Sequence, residues 1–267
     1  MKLRVLAYCI LGCLPMALML LGGQFSWWWV SGIVLAAAFV PVALFGPPSV
    51  LGQFAVIAPL LAIVTSFCTW SEAWIFIPDF RRHGLRNLIG SLTTYLLLAT
   101  VLAVLAKILK LAKPREYKPA HRGVAGTMLM IAVCAMAYMV YYLVFGAITY
   151  QFFTKGYYPE AAAIAQSLGL WFWALQLARG ALMTLAVLPA IYTLRMERGQ
   201  AAITIGMLIW VAGGLAPLLA ANPFMGTTQR IIHIVEILLQ NGSLGITAAL
   251  LLRPRAARVP SVSTQTA

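Results

Sequence analysis

Gln229, Arg230, His233, Glu236, Gln240 and Asn241 stand among isoleucines and leucines at the start of the last long apolar stretch. A guanidinium, an imidazole and a carboxylate at membrane depth are costly and need partners, so this set points to anion binding, proton movement or mutual pairing. His233 and Glu236 are three apart and share a helix face. Histidine titrates near neutrality and a desolvated glutamate titrates higher, which makes the two a candidate acid/base couple, with a hydrogen-bonded structural pair as the rival reading. No third His, Cys or Asp stands at a ligand spacing, so no metal is expected. At about 100° per residue, Gln229, His233, Glu236, Gln240 and Ser243 fall within an arc of roughly 80°. Arg230 and Asn241 lie to one side of that arc, and Ile231, Val235 and Leu238 lie opposite.

A second polar group occurs in an earlier apolar stretch, where Gln176 and Arg179 are three apart and Gly180 lets a neighbouring helix approach. Arginine does not deprotonate, so a buried Arg179 must find an anion. Glu72 and Glu236 are the acids placed within apolar stretches. One reading is a clamp that sets helix register. The other is a pocket in which Arg179, Arg230 and His233 hold an anionic ligand, with Glu72, Glu236 and Gln176 beside them.

These residues must be positioned by membrane helices. The chain has 267 residues, 62% hydrophobic and 9% charged, against about 25% charged in a soluble domain. Apolar runs of about 20 residues recur without strand-like alternation. The expected fold is an all-α integral membrane protein, a bundle of about eight transmembrane helices with short loops. The spans run roughly 5–22, 26–46, 51–77, 88–109, 124–154, 168–192, 201–221 and 229–252. They form a single polytopic domain, 1–258, of two four-helix halves joined by a cytoplasmic linker at 110–123. Residues 259–267, rich in Ser, Thr and Val, read as a disordered tail.

Basic residues set the orientation. Lys2, Arg4, the cluster from Lys107 to Arg122, Arg195, Arg198, Arg253, Arg255 and Arg258 fall on one side; Arg81, Arg82, Arg86, Lys155 and Arg230 fall on the other. The asymmetry predicts an inner-membrane protein with both termini cytoplasmic. Sorted by depth, Glu72, Thr149, Tyr150, Gln151, Gln176, Arg179, Asn222 and the 229–236 stretch converge on the outer half. Glu236 lies about 10 Å below the outer end at 1.5 Å per residue. Arg81, Arg82 and Arg86 oppose the trend and suggest lipid phosphates, a phosphate-bearing ligand or an acidic partner.

The net charge of +13 therefore reflects topology and anionic lipid, and nothing interleaves bases with aromatics as a nucleic-acid surface does. Met1-Lys2-Leu3-Arg4 and the following run imitate a signal peptide, but no Ala-x-Ala site follows, so an uncleaved first span is expected. Cys9, Cys13, Cys68 and Cys134 fall in spans without metal spacing and read as small buried hydrophobes. Only His233 of the three histidines is intramembrane, so haem ligation is not expected, nor any other cofactor. Nucleophile elbows, phosphate loops and zinc-protease patterns are absent. Three functions fit: transport or handling of an anionic small molecule or lipid headgroup; a membrane-embedded enzyme acting on lipid at the outer face, with His233 and Glu236 as acid and base; and a non-catalytic subunit or sensor packed on a membrane-protein partner.

Overall fold

The computed structural model describes residues 1–18, 25–113, 122–220 and 224–253. The end of the first expected span, most of the linker with His121, Asn222 and the tail lie outside these residues.

The protein is an all-α, polytopic membrane bundle. Helix α1, Lys2–Gly12, is followed by a short helix, Leu14–Leu18. Among the described residues, seven further helices are long and apolar enough to cross a membrane: α2 (Trp27–Phe45), α3 (Val50–Phe76), α4 (Gly84–Ile108), α5 (Val124–Thr154), α6 (Leu170–Thr193), α7 (Arg198–Leu219) and α8 (Thr227–Leu252). Each is apolar round much of its circumference, and the buried polar residues face other helices, although Thr93, Thr100 and Gln151 stand exposed. In α8, for instance, Ile231 and Val235 are more than half exposed while Gln240 and Asn241 are buried. That distribution suits a bundle whose solvent is lipid.

Four to seven residues separate α2 from α3, α3 from α4, α6 from α7 and α7 from α8, whereas fifteen separate α4 from α5 and α5 from α6. At the turn Gly46–Ser49, Ser49 Oγ accepts from Gly52 N at 3.1 Å and caps α3, while Gln53 Nε2 donates to Val42 O (3.0 Å) and Pro47 O (2.7 Å). Helix α6 packs against both α3 and α5, and α7 against α3 and α8, so helices before and after the linker share one core.

The two ends of the bundle differ. At the end bearing Phe45, Thr193 and Leu252, the basic end, arginines serve the helix C-termini, where carbonyls lack intrahelical partners. Arg253 is fully buried and donates to Leu194 O at 2.8 Å and to Met196 O; Arg195 donates to Gly46 O at 2.7 Å; Arg122 donates to Leu251 O at 2.8 Å. At the opposite end, Arg81 bonds Trp74 O and Ile75 O, both at 2.8 Å, and so closes α3. That contact accounts for one basic residue placed against the charge trend.

Among the described residues, four stretches depart from α geometry into π turns: Leu60–Cys68 in α3, Tyr150–Thr154 in α5, Val211–Leu215 in α7 and Leu238–Gly242 in α8. The first follows Pro59, which lacks an N–H for the ladder. The third contains Gly213 and Gly214 and precedes Pro217. π turns cluster at functional sites because they re-aim side chains that a regular helix would send elsewhere.

Candidate functional site

The four π turns share a destination. Val64 and Cys68 of α3, Tyr150 and Thr154 of α5, Gly213 of α7, and Gln240 and Asn241 of α8 all line one cavity of about 520 Å³. It lies toward the end of the bundle that carries Phe76 and Thr227, the chamber end. Most of its wall is apolar and aromatic, and polar groups gather in two clusters.

The first cluster joins α3, α5 and α6. Arg179 Nη2 lies 2.8 Å from Glu72 Oε2, and Nη1 donates to Gln176 Oε1 at 2.9 Å. The Tyr142 hydroxyl donates to the other Glu72 oxygen at 3.3 Å. The guanidinium carbon sits 5.9 Å from the ring centroids of both Tyr138 and Tyr142, so the cation also meets two aromatic faces. Gly180 makes this possible: a Cβ there would fall 2.8 Å from Tyr138 Cβ and 3.0 Å from Ala135 Cα, so α5 and α6 touch where Arg179 turns inward. The pair is lopsided. The arginine side chain is 6% exposed and that of Glu72 is 36% exposed, so the carboxylate is the member that faces the cavity.

The second cluster lies on α8. His233 Nδ1 is 2.8 Å from Glu236 Oε2, and Gln240 Nε2 donates to Glu236 Oε1 at 2.9 Å. Both carboxylate oxygens are thereby engaged, and the imidazole ring is held by its Nδ1 edge. His233 Nε2 makes no hydrogen bond among the described residues. Room for the cluster comes from Gly146 of α5, whose Cβ position lies in ordinary contact with Gln240 Nε2 (3.5 Å) and Glu236 Oε1 (3.6 Å). Trp210 Nε1 donates to Ile234 O at 3.0 Å and ties α8 to α7 just before the π turn.

A segment over residues 155–169 covers the chamber. Its short helix, Ala161–Leu168, has no buried residue and turns Ala161, Ala162, Ile164 and Ala165 into the cavity wall. Gly169 joins it to α6 at φ 53°, ψ −129°, a conformation open to glycine and strained for other residues. Tyr158 of this segment lies 5.9 Å from the His233 ring, centroid to centroid. Its hydroxyl is buried without a partner among the described residues, and burial pushes that phenol above its ordinary value.

Of the residues singled out in the sequence, Glu72, Arg179, His233 and Glu236 line the one cavity. Gln176 is fully buried behind Arg179 and orients it. Arg230 stands elsewhere: it is not part of the cavity wall, and its Nη1 donates to Leu218 O (3.2 Å) and Leu219 O (3.0 Å), closing α7 as Arg81 closes α3. Asn241 is the reverse case. A regular helix puts it beside Arg230, off the polar arc, but the π turn carries it into the cavity wall, where its amide makes no hydrogen bond among the described residues. Tyr142 and Tyr158 were not among the residues singled out in the sequence. Among the described residues no three His, Cys, Asp or Glu side chains gather as metal ligands would.

The charges of the wall are balanced toward the negative. Glu72, Glu160 and Glu236 face Arg179 and His233, and the guanidinium and the imidazole each already have a carboxylate at 2.8 Å. What the arrangement offers a ligand is hydrogen bonding and a titratable imidazole beside an apolar wall, with no spare positive charge among the described lining residues. Comparison with known families, characterised proteins and solved structures yields no match for this chain.

Proposed function

We propose that the protein binds and handles an amphipathic, lipid-like molecule inside the outer half of the membrane. Its polar head would lie between the Glu72–Arg179 and His233–Glu236 clusters, and its chain along the apolar wall. The carrying observation is that two polar clusters from four helices border one cavity of about 520 Å³ whose wall is otherwise apolar and aromatic. That volume falls within the range of about 300–1,000 Å³ that suits small ligands. The charge balance favours a neutral, hydrogen-bonding head over the anionic ligand expected from the sequence, because a free anion would meet three carboxylates, and the guanidinium and the imidazole are each already paired with one. The basic end supports a cytoplasmic placement, which turns the chamber outward.

Binding to the purified full chain in nanodiscs tests this. 1-O-hexadecylglycerol, a neutral single-chain ether lipid, should bind, and hexadecyl phosphate should bind at least tenfold more weakly. Gly146→Leu, which pushes a side chain toward Glu236 and Gln240, should abolish the difference by filling the site. Tighter binding of the phosphate would overturn the charge argument, and binding of neither would overturn the chamber reading. Orientation is checked separately by cysteines at positions 155 and 107: an impermeant reagent applied outside should label only the former.

A further inference from the structure

Resting on the chamber reading, we propose that residues 155–169 form a lid over the chamber, hinged at Gly156 and Gly169, and that the buried hydroxyl of Tyr158 biases this lid toward its open position. A bound amphiphile draws the lid closed.

The segment is attached at its two ends and lightly held between them. Its backbone hydrogen bonds stay within it or reach its neighbours in sequence: Tyr157 N and Tyr158 N donate to Thr154 O at 2.9 and 3.0 Å, Ala161 N to Tyr158 O at 3.1 Å, and Phe172 N to Gly169 O at 3.2 Å. Among the described residues, one side-chain hydrogen bond ties it to the bundle, from the Tyr150 hydroxyl to Pro159 O at 3.4 Å, and Tyr150 itself stands in the last turns of α5. Neither ion pair of the described residues involves it. Its helix, Ala161–Leu168, has no buried residue, and three of the four side chains that it turns to the chamber are alanines, which bury little apolar area. An element with so few buried contacts opens at a fraction of the free energy of global unfolding.

Both ends have room to turn. A Cβ at Gly156 or at Gly169 would meet nothing within 4 Å, so no neighbour fixes the chain at either point. In the closed position Gly169 holds a positive φ of 53°, which glycine enters and leaves without the strain that another residue would carry.

Tyr158 supplies the bias. Its ring lies against that of His233, 5.9 Å from centroid to centroid, and so meets α8 when the lid is down. Its hydroxyl is buried and has no partner among the described residues. That group loses water on closure and gains no hydrogen bond in exchange, so the closed position carries the desolvation penalty of a hydroxyl. Lifting the lid returns the hydroxyl to water. A ligand offsets the penalty with apolar contacts to Ala161, Ile164 and Ala165, which the lid brings to the chamber wall only when closed. Binding therefore shifts the population toward closure, because the ligand interacts differently with the two positions.

The test uses the full chain in nanodiscs with nitroxides at positions 163 and 231, attached through ketone-bearing amino acids. Both sites are exposed, one on the lid and one on α8. Double electron–electron resonance should show two distances, and saturating 1-O-hexadecylglycerol should leave only that of the closed position. Tyr158→Phe, which keeps the ring and removes the hydroxyl, should raise the closed-to-open ratio of the ligand-free protein about tenfold and slow dissociation of the ether lipid. Gly169→Ala should lower that ratio about tenfold, because the strained backbone belongs to the closed position. The two variants thus move one ratio in opposite directions, which a general loss of structure would not do.

A single distance that neither the ether lipid nor either variant changes, in protein that binds the lipid, would overturn the lid and leave the chamber reading standing. Absence of lipid binding would overturn the chamber reading and ligand-driven closure with it. A Tyr158→Phe ratio shifted toward the open position would overturn the role of the hydroxyl.

Discussion

Two of the three carboxylates that line the chamber stand in different settings. Glu72 pairs across helices with Arg179, a permanent cation that is almost fully buried, backed by Gln176 and two tyrosine faces. Glu236 pairs within one helix turn with His233, a titratable group at the cavity surface, backed by a glutamine one turn further on. The first arrangement joins α3 to α6 through a guanidinium that does not deprotonate. The second joins nothing across the bundle and its charge can change. The contrast teaches that intramembrane charges of similar spacing and distance divide into a part that holds helices and a part available for chemistry.

Mutations that disturb the first pair should cost the most stability. Glu72→Gln leaves a buried guanidinium without its anion and should lower unfolding stability by about 2–3 kcal/mol. That is below the 3–5 kcal/mol of a fully enclosed pair because Glu72 is partly open to the cavity. The double variant Glu72→Leu, Arg179→Met should recover most of that loss, as matched apolar replacement of buried pairs often does. Thermal denaturation in detergent, compared across the single and double variants, measures both. A single variant as stable as the wild type would break the contrast.

The second pair should behave oppositely. Glu236→Gln should change stability by about 1 kcal/mol or less, since the imidazole simply becomes neutral when its partner does. The same denaturation series reads this. A loss as large as that of Glu72→Gln would mean that α8 is held by its dyad and that the two carboxylates are equivalent.

Arg230 sharpens the comparison from outside the chamber. Its guanidinium serves two terminal carbonyls of α7, so Arg230→Ala should cost about 0.5–1 kcal/mol and leave alkylglycerol binding unchanged. Weakened binding would return Arg230 to the site.

Much of this bundle was legible before its structure. Continuous apolar runs place α2 to α8 within a few residues of their observed ends, because backbone satisfaction in lipid permits little but helices. The convergence of Glu72, Arg179, His233 and Glu236 was legible from depth alone. Which acid Arg179 meets was not, since depth leaves both Glu72 and Glu236 in reach and the choice depends on how the helices pack side by side. The exchange of Arg230 for Asn241 was hidden for a different reason: a helical wheel assumes one angle per residue, and the π turn at 238–242 breaks that assumption. The covering segment was hidden too. Its helix is short and buries nothing, and its effect on the chamber depends on how Gly169 redirects the chain.

The central claim is that the two clusters border one ligand site, and direct imaging tests it best. A cryo-electron microscopy structure of the protein in nanodiscs with 1-O-hexadecylglycerol should show the glycerol between Glu72 and His233, with its chain along the wall formed by Leu143, Ala147 and Phe172. Density confined to the lipid-facing surface of the bundle, with the chamber empty at saturating ligand, would contradict the account.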